Sequence, residues 1–237
     1  MKAFLPNQIY FVSVIALFFS YSNINAQDEA SSSSVSFDAG TDLVSSYVWR
    51  GSKYGSGPAL QPYLEFAAGN FAIGSWGSFS FSDNAVGLAG DFAEADLYMS
   101  YSFDFGLSLG LTDYYYPGTS YFDYSSPGGS HGFELNLGYE VSGLSIGANY
   151  MLNEASGAGT AGGDMYFELG YGFDAVSIFV GAGDGWHTSD GEFAVCNVGM
   201  SYSKEIEITE KFSLPLSSSL ILNPETEQYF IVVALSL

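Results

Sequence analysis

Basic residues are almost missing from this chain. Its 237 residues hold 5 Lys and Arg against 26 Asp and Glu, a formal charge of −21. A protein that grips nucleic acid needs a basic surface to replace counterions, so that class is excluded. Cysteine is also scarce. Cys196 stands alone, which removes any intramolecular disulfide framework. Long apolar runs are absent too. The segment Ile9 to Phe19 is the longest, and it falls short of the roughly 18 residues that a membrane helix needs. A bundle of transmembrane helices is therefore out. Charge this high often means disorder, but 47% hydrophobic and 17% aromatic residues argue for a packed structure.

What the chain does have is alternation. From Val35 to Leu237, apolar and polar residues alternate in blocks separated by turn residues. A period of two reads as strands with one apolar face. Strands of about ten residues, each apolar on one side, suit a transmembrane β-barrel. The block at 132–141 illustrates this. Phe133, Leu135, Leu137, Tyr139 and Val141 share one face, and Glu134, Asn136, Gly138 and Glu140 share the other.

The expected fold is all-β: a single antiparallel transmembrane barrel of twelve strands. They are expected at 35–50, 59–68, 71–81, 92–103, 105–116, 132–141, 144–153, 164–173, 176–184, 193–203, 211–222 and 228–237. Ahead of it, residues 1–26 read as a signal peptide, with Lys2 before an apolar core and a cleavage site after Ala26. Residues 27–34 read as a flexible polar lead-in. Short turns at 69–70, 104, 142–143 and 174–175 alternate with longer connections at 51–58, 82–91, 117–131, 154–163 and 185–192. That asymmetry is the habit of outer-membrane barrels, with short turns in the periplasm. The location expected is the outer membrane of a Gram-negative bacterium. The partners expected are outer-membrane lipid and, during biogenesis, the barrel-assembly machinery.

Parity points a set of acids into the lumen: Asp38, Asp42, Glu65, Glu94, Asp96, Glu134 and Glu168. Arg50, the only arginine, shares the parity of Asp38 and Asp42. The expectation is a lumen charge network in which Arg50 forks to carboxylates, since buried charges must be paired. Tyr63, Trp76, Tyr114, Tyr116 and Tyr166 are expected to fill part of the lumen. Tyr47 and Trp49 are expected to face outward as anchors at the lipid headgroups. Cys196 shares the parity of Val198 and Met200 and is expected to face lipid.

Two functions fit this pattern. An open lumen lined with acids would pass small hydrophilic solutes or cations without catalysis. A lumen packed with side chains would leave a structural or surface-interaction barrel. A third reading, an outer-membrane hydrolase, would need His131 or His187 to meet Ser130 or Ser189 and an acid. The spacing does not demand that. No catalytic residue, metal site or cofactor is assigned from the sequence.

The stretch Leu43 to Gly51, with its Ser-x-Tyr-x-Trp-Arg-Gly core, and Pro58-Ala59-Leu60-Gln61-Pro62 resemble the opening of a bacterial family of unknown function, Gcw_chp. The stretches Gly74 to Ser78, Glu94 to Tyr98 and Asp113 to Pro117 resemble further elements of that family. The resemblance covers about 35–120. It implies a secreted outer-membrane barrel and no particular substrate.

Overall fold

The structure is a computed structural model that describes residues 35–81, 92–209 and 212–237. The signal segment 1–26, the lead-in 27–34 and the connection 82–91 lie outside the described residues. Fourteen strands follow in chain order: β1 (Val35–Val44), β2 (Tyr47–Trp49), β3 (Ser52–Tyr54), β4 (Ala59–Ala68), β5 (Phe71–Ser80), β6 (Ala93–Ser102) and β7 (Leu107–Tyr115). Then come β8 (His131–Val141), β9 (Leu144–Met151), β10 (Met165–Phe173), β11 (Val176–Gly183), β12 (Ala194–Thr209), β13 (Phe212–Asn223) and β14 (Gln228–Ser236). Among the described residues one 3-10 turn, Gly185–His187, lies between β11 and β12.

Twelve of these strands close an antiparallel barrel in the order β1-β14-β13-β12-β11-β10-β9-β8-β7-β6-β5-β4. Each strand after β4 pairs with the one before it, and β14 returns to β1. Closure leaves no sheet edge along most of the wall. The turn Ser142-Gly143 shows how sequence sets this up. Both residues have positive φ, 51° and 85°, as a two-residue hairpin turn of matching twist requires. A Cβ at Gly143 would lie 2.6 Å from the Gly172 carbonyl of the next strand, so only glycine fits there.

The outer wall is a continuous apolar surface. Leu64, Ile73, Leu97, Leu135, Ile146, Leu169 and Ile178, one on each of seven strands, are all more than two-fifths exposed. The inner wall carries Ser, Gly, Thr, Asn, Glu and Tyr. Ser78, Thr112, Glu134, Asn136, Ser201 and Ser219 are buried. The wall is thus inside-out relative to a water-soluble barrel, and soluble monomers rarely leave so much contiguous apolar surface bare.

Three expectations are corrected. The first strand does not run to residue 50. It stops at Val44, and the chain bends at Ser45-Ser46 and enters the lumen as a separate hairpin, β2–β3. The bend is fixed by the Ser45 amide donating to the Val233 carbonyl at 2.8 Å and the Val233 amide donating to Ser45 Oγ at 2.9 Å. Tyr47 and Trp49 are therefore not lipid-facing anchors. Tyr47 is buried at 6% exposure inside the barrel, against Trp76, Phe92 and Tyr54. Cys196 does not face lipid either. The β11–β12 register shifts at Gly181/Ala182, so Cys196 is the extra residue of a bulge and is fully buried.

Candidate functional site: the inserted hairpin and its socket

The hairpin closes on itself through Tyr47–Tyr54 and Trp49–Ser52 pairs. Its turn is Arg50-Gly51, with φ of 49° and 81°. Gly51 is required there twice over. Its φ strains any residue with a side chain, and a Cβ would sit 1.9 Å from the Cys196 carbonyl oxygen of β12. Asn223 Nδ2, from the end of β13, donates to the Gly51 carbonyl at 3.1 Å. The tip is thereby pinned against β13 and β12, two and three strands round the wall from β1.

Arg50 is the centre of the contact. Its Nη1 and Nη2 donate to Glu134 Oε1 and Oε2 of β8 at 2.6 and 2.9 Å, a planar fork. Glu134 Oε2 also accepts from Tyr114 Oη at 2.9 Å and Asn136 Nδ2 at 2.7 Å. Asn136 is held in turn by Thr112 Oγ1 donating to its Oδ1 at 2.8 Å, while its amide also donates to Asn149 Oδ1 at 2.9 Å. The guanidinium lies between the rings of Trp49 and Tyr166, 4.3 and 4.5 Å from their centroids. So the one arginine of the chain is paired, hydrogen-bonded and stacked on both faces. A buried cation needs that to offset its desolvation.

The 3-10 turn covers the tip. Trp186 and Trp49 meet edge-on at 5.5 Å, and both touch Tyr114. Trp186 Nε1 donates to His187 Nε2 at 2.9 Å. With that nitrogen accepting, the neutral imidazole carries its proton on Nδ1. Burial first, and then the neighbouring Arg50 charge, push the His187 pKa down to about 2.

The acids expected to share Arg50 separate into groups. Glu134 binds it directly. Glu168 reaches it only through Tyr166, whose hydroxyl bonds Glu168 while its ring faces the guanidinium. Glu94 and Asp96 lie side by side on one face of β6, nearly sealed at 2% and 1% exposure, and Asp96 Oδ1 accepts from the Tyr115 amide at 3.4 Å. Glu65 accepts from Tyr98 Oη at 2.9 Å nearer the short-turn end, and Asp38 sits opposite it in register. Asp42 meets Ser236 where β1 joins β14. The single network expected from parity is therefore four separate clusters. Parity fixes the side of the wall, whereas depth depends on strand stagger, which the sequence does not display.

Of the aromatics assigned to the lumen, Tyr114 and Tyr166 are buried in the socket. Trp76 packs on Tyr47, and Tyr116 packs on Phe92. Tyr63 pairs with Trp76 across β4 and β5 and leans over Gly40, the residue whose missing side chain makes room for its ring. Sequence reasoning missed Trp186, Asn136, Asn149 and Asn223 as socket residues. The asparagines of β8 and β9 had inward parity, which was the available signal. Nothing in the sequence marks the loop residue Trp186 as entering the lumen.

A sequence model of the bacterial family Gcw_chp, described as proteins of unknown function, matches residues 27–214. The chain belongs to the Gcw_chp family. No curated protein matches it. Among solved structures, this Gcw_chp chain is similar to a mutant porin from Rh. blastica, with a TM-score of 0.40 and 13% identity over 76% of this chain and 55% of the porin. The chain thus spans about half of that porin. It is also similar to outer membrane phospholipase A from Escherichia coli, with a TM-score of 0.40 and 9% identity over 84% of this chain and 87% of that one. The Salmonella typhi outer membrane phospholipase dimer with bound calcium gives 0.38 and 12%, over 84% and 86%.

Proposed function

We propose that this Gcw_chp protein is a non-catalytic outer-membrane barrel whose lumen is closed at rest by its own hairpin, so that it is not a free-running pore. The observation that carries this is the Arg50 fork. A hairpin rooted in β1 reaches Glu134 on β8, five strands round the barrel, and so crosses the lumen. The exposed apolar wall supports the membrane placement, with lipid as the solvent of that face. The long-loop end then faces the cell exterior and the hairpin stoppers the outer half. Delivery there follows export behind the 1–26 segment and insertion by the assembly machinery.

Both histidines support the non-catalytic reading. His131 meets Asp113 through Nδ1 and the Tyr121 carbonyl through Nε2, and His187 Nε2 meets Trp186 and Arg50. Neither ring hydrogen-bonds Ser130 or Ser189, and the one nitrogen left over, His187 Nδ1, is buried without a partner. A second reading, a gated path for small cations, is favoured by the short-turn half of the lumen. Small residues such as Ser108, Gly138, Gly147, Gly170, Ser177, Ser201 and Ser219 line it, with Asp38 and Glu65 among them. Planar-bilayer recording separates the two readings. The closed barrel gives no steps for the wild type at moderate voltage. Spontaneous cation-selective steps from the unmodified protein would replace it with the channel.

A further inference from the structure

In the connection 117–130, Tyr121 and Tyr124 fold against outward-facing His131, while the Pro127 and Gly129 carbonyls accept from the Ser156 and Gly157 amides of the neighbouring loop at 2.8 and 3.0 Å. Asp113 and His131 occupy outward positions on β7 and β8, in line with Leu109, Leu111, Leu135 and Leu137. His131 Nδ1 lies 2.9 Å from Asp113 Oδ1 and 3.0 Å from Oδ2. Its other ring nitrogen meets the Tyr121 carbonyl. Both ring nitrogens thus sit against acceptor oxygens. A polar pair on the apolar face of a barrel is costly unless something covers it or it sits at headgroup depth.

Here it is covered. Tyr115 and Tyr124 stack on the two faces of the imidazole, with centroids 5.3 and 4.2 Å away, and Tyr121 meets its edge at 5.1 Å. Tyr115 Oη donates to the Thr119 carbonyl at 2.9 Å. Asp123 closes a turn onto the Ser125 amide and hydroxyl at 3.1 and 2.7 Å. The segment is therefore a compact body clamped to the wall. Its outermost side chain is Phe122, which is 87% exposed and meets only the edge of Tyr121. Tyr121 and Tyr124 are exposed beside it. No lumen group and no other described loop covers Phe122. This aromatic patch runs on from the apolar wall through Phe133 and Leu135.

We propose that 117–130 is a lipid anchor: Phe122, with Tyr121 and Tyr124, inserts at the boundary between headgroups and acyl chains of the outer leaflet, held there by the His131–Asp113 clamp. Amphipathic aromatic rings favour that depth. Continuity with the apolar wall selects lipid over a protein partner. The inference rests on the membrane-barrel reading above.

Site-directed spin labelling tests it. Cys196→Ala removes the one native thiol, which is buried. Nitroxides are then placed at Phe122→Cys, at Leu135→Cys on the wall and at Asp190→Cys on an exposed loop. The protein is reconstituted in phosphatidylcholine vesicles, and collision with oxygen is compared with collision with a neutral nickel chelate. The expected oxygen-to-nickel ratio is highest at 135, lowest at 190, and severalfold above the loop value at 122. A label at 122 matching the one at 190, with 135 still oxygen-favoured, overturns the anchor and leaves the barrel reading intact. A nickel-favoured label at 135 overturns the barrel reading, and the anchor with it. In the 122-labelled protein, His131→Ala, or Asp113→Asn if the first does not fold, should move the ratio to the loop value. No movement would overturn the clamp.

Discussion

At the scale of the residue, Arg50 and Glu134 should behave as one unit. Truncating one partner leaves the other charged and buried, which costs about 3–5 kcal/mol for a pair of this kind. Arg50→Ala should therefore lower the thermal midpoint of heat-modifiable gel migration far more than the double variant Arg50→Ala, Glu134→Gln. Arg50→Lys should recover only part, because an ammonium cannot make the planar fork or stack flat between Trp49 and Tyr166. Equal midpoints for all four proteins would remove the pair from the stability account. His187 gives a second test, with a definite sign. Its folded pKa is depressed to about 2, whereas an unfolded histidine titrates near 6.5. Between those values the unfolded chain binds a proton that the folded chain refuses. The contribution of His187 to stability is full above pH ~6.5 and is lost progressively as pH falls toward ~2. The wild type should thus lose more stability than His187→Gln when both are taken from neutral pH to pH ~4. Parallel pH profiles would contradict the burial of the imidazole.

At the scale of the element, the hairpin β2–β3 depends on its turn. Gly51→Ala must put a methyl group 1.9 Å from the Cys196 carbonyl, and the backbone opposite cannot give way. The expected result is a barrel that still closes but a hairpin that no longer seats. Lys53, already the exposed residue of β3, and Arg50, now out of its socket, should then be cut by trypsin within minutes. The wild type should resist at Arg50. Equal cleavage in both proteins would mean that the tip is not held by its turn. The same element shows how far the sequence could be read. Strand periodicity placed β4 to β11 within a few residues, because each strand's apolar face must meet one solvent all along its length. It failed at residues 45–54. Tyr47 and Trp49 continue the alternation of β1, and an aromatic side chain suits the lumen as well as the lipid boundary. What ended β1 was a pair of serines and a positive-φ turn, Arg50-Gly51, and the latter also reads as the mouth of an ordinary loop. Asp113 and His131 escaped notice as a pair for a related reason. Their neighbours in space are set by the β7–β8 register, across a connection too long to fix that register locally.

At the scale of the whole molecule, the wall has one thin place. β12 and β13 pair from Val198 to Thr209 with one bulge between Glu207 and Thr209, yet β1 and β14 meet where Asp42–Val44 lie against Ala234–Ser236, flanked by the mutual amide bonds of Thr41 and Leu237 at 3.1 and 2.9 Å and by the Ser45–Val233 bonds. Closure of the barrel runs through this short seam. The inserted hairpin props it from inside: Tyr47 packs in one cluster with Val44 and Ala59, and Ala234 lies against it. Hairpin and seam should therefore fail together. Amide exchange should be fastest, among the barrel strands, at Thr41, Leu43 and Leu237, and faster still in Gly51→Ala. A covalent staple gives the decisive comparison. Thr41 and Leu237 exchange both backbone bonds, so Val44 and Ala234, three residues along each strand, form a pair of the closer, non-hydrogen-bonded type, with Cα atoms about 4.5 Å apart. That separation suits a disulfide. In a Cys196→Ala background, oxidised Val44→Cys, Ala234→Cys protein should outlast its reduced form on heating by the equivalent of about 2–4 kcal/mol. It should also erase the extra exchange caused by Gly51→Ala. If the oxidised and reduced forms unfold at the same temperature, the barrel opens somewhere other than β1–β14, and the hairpin's hold on that seam contributes nothing to closure.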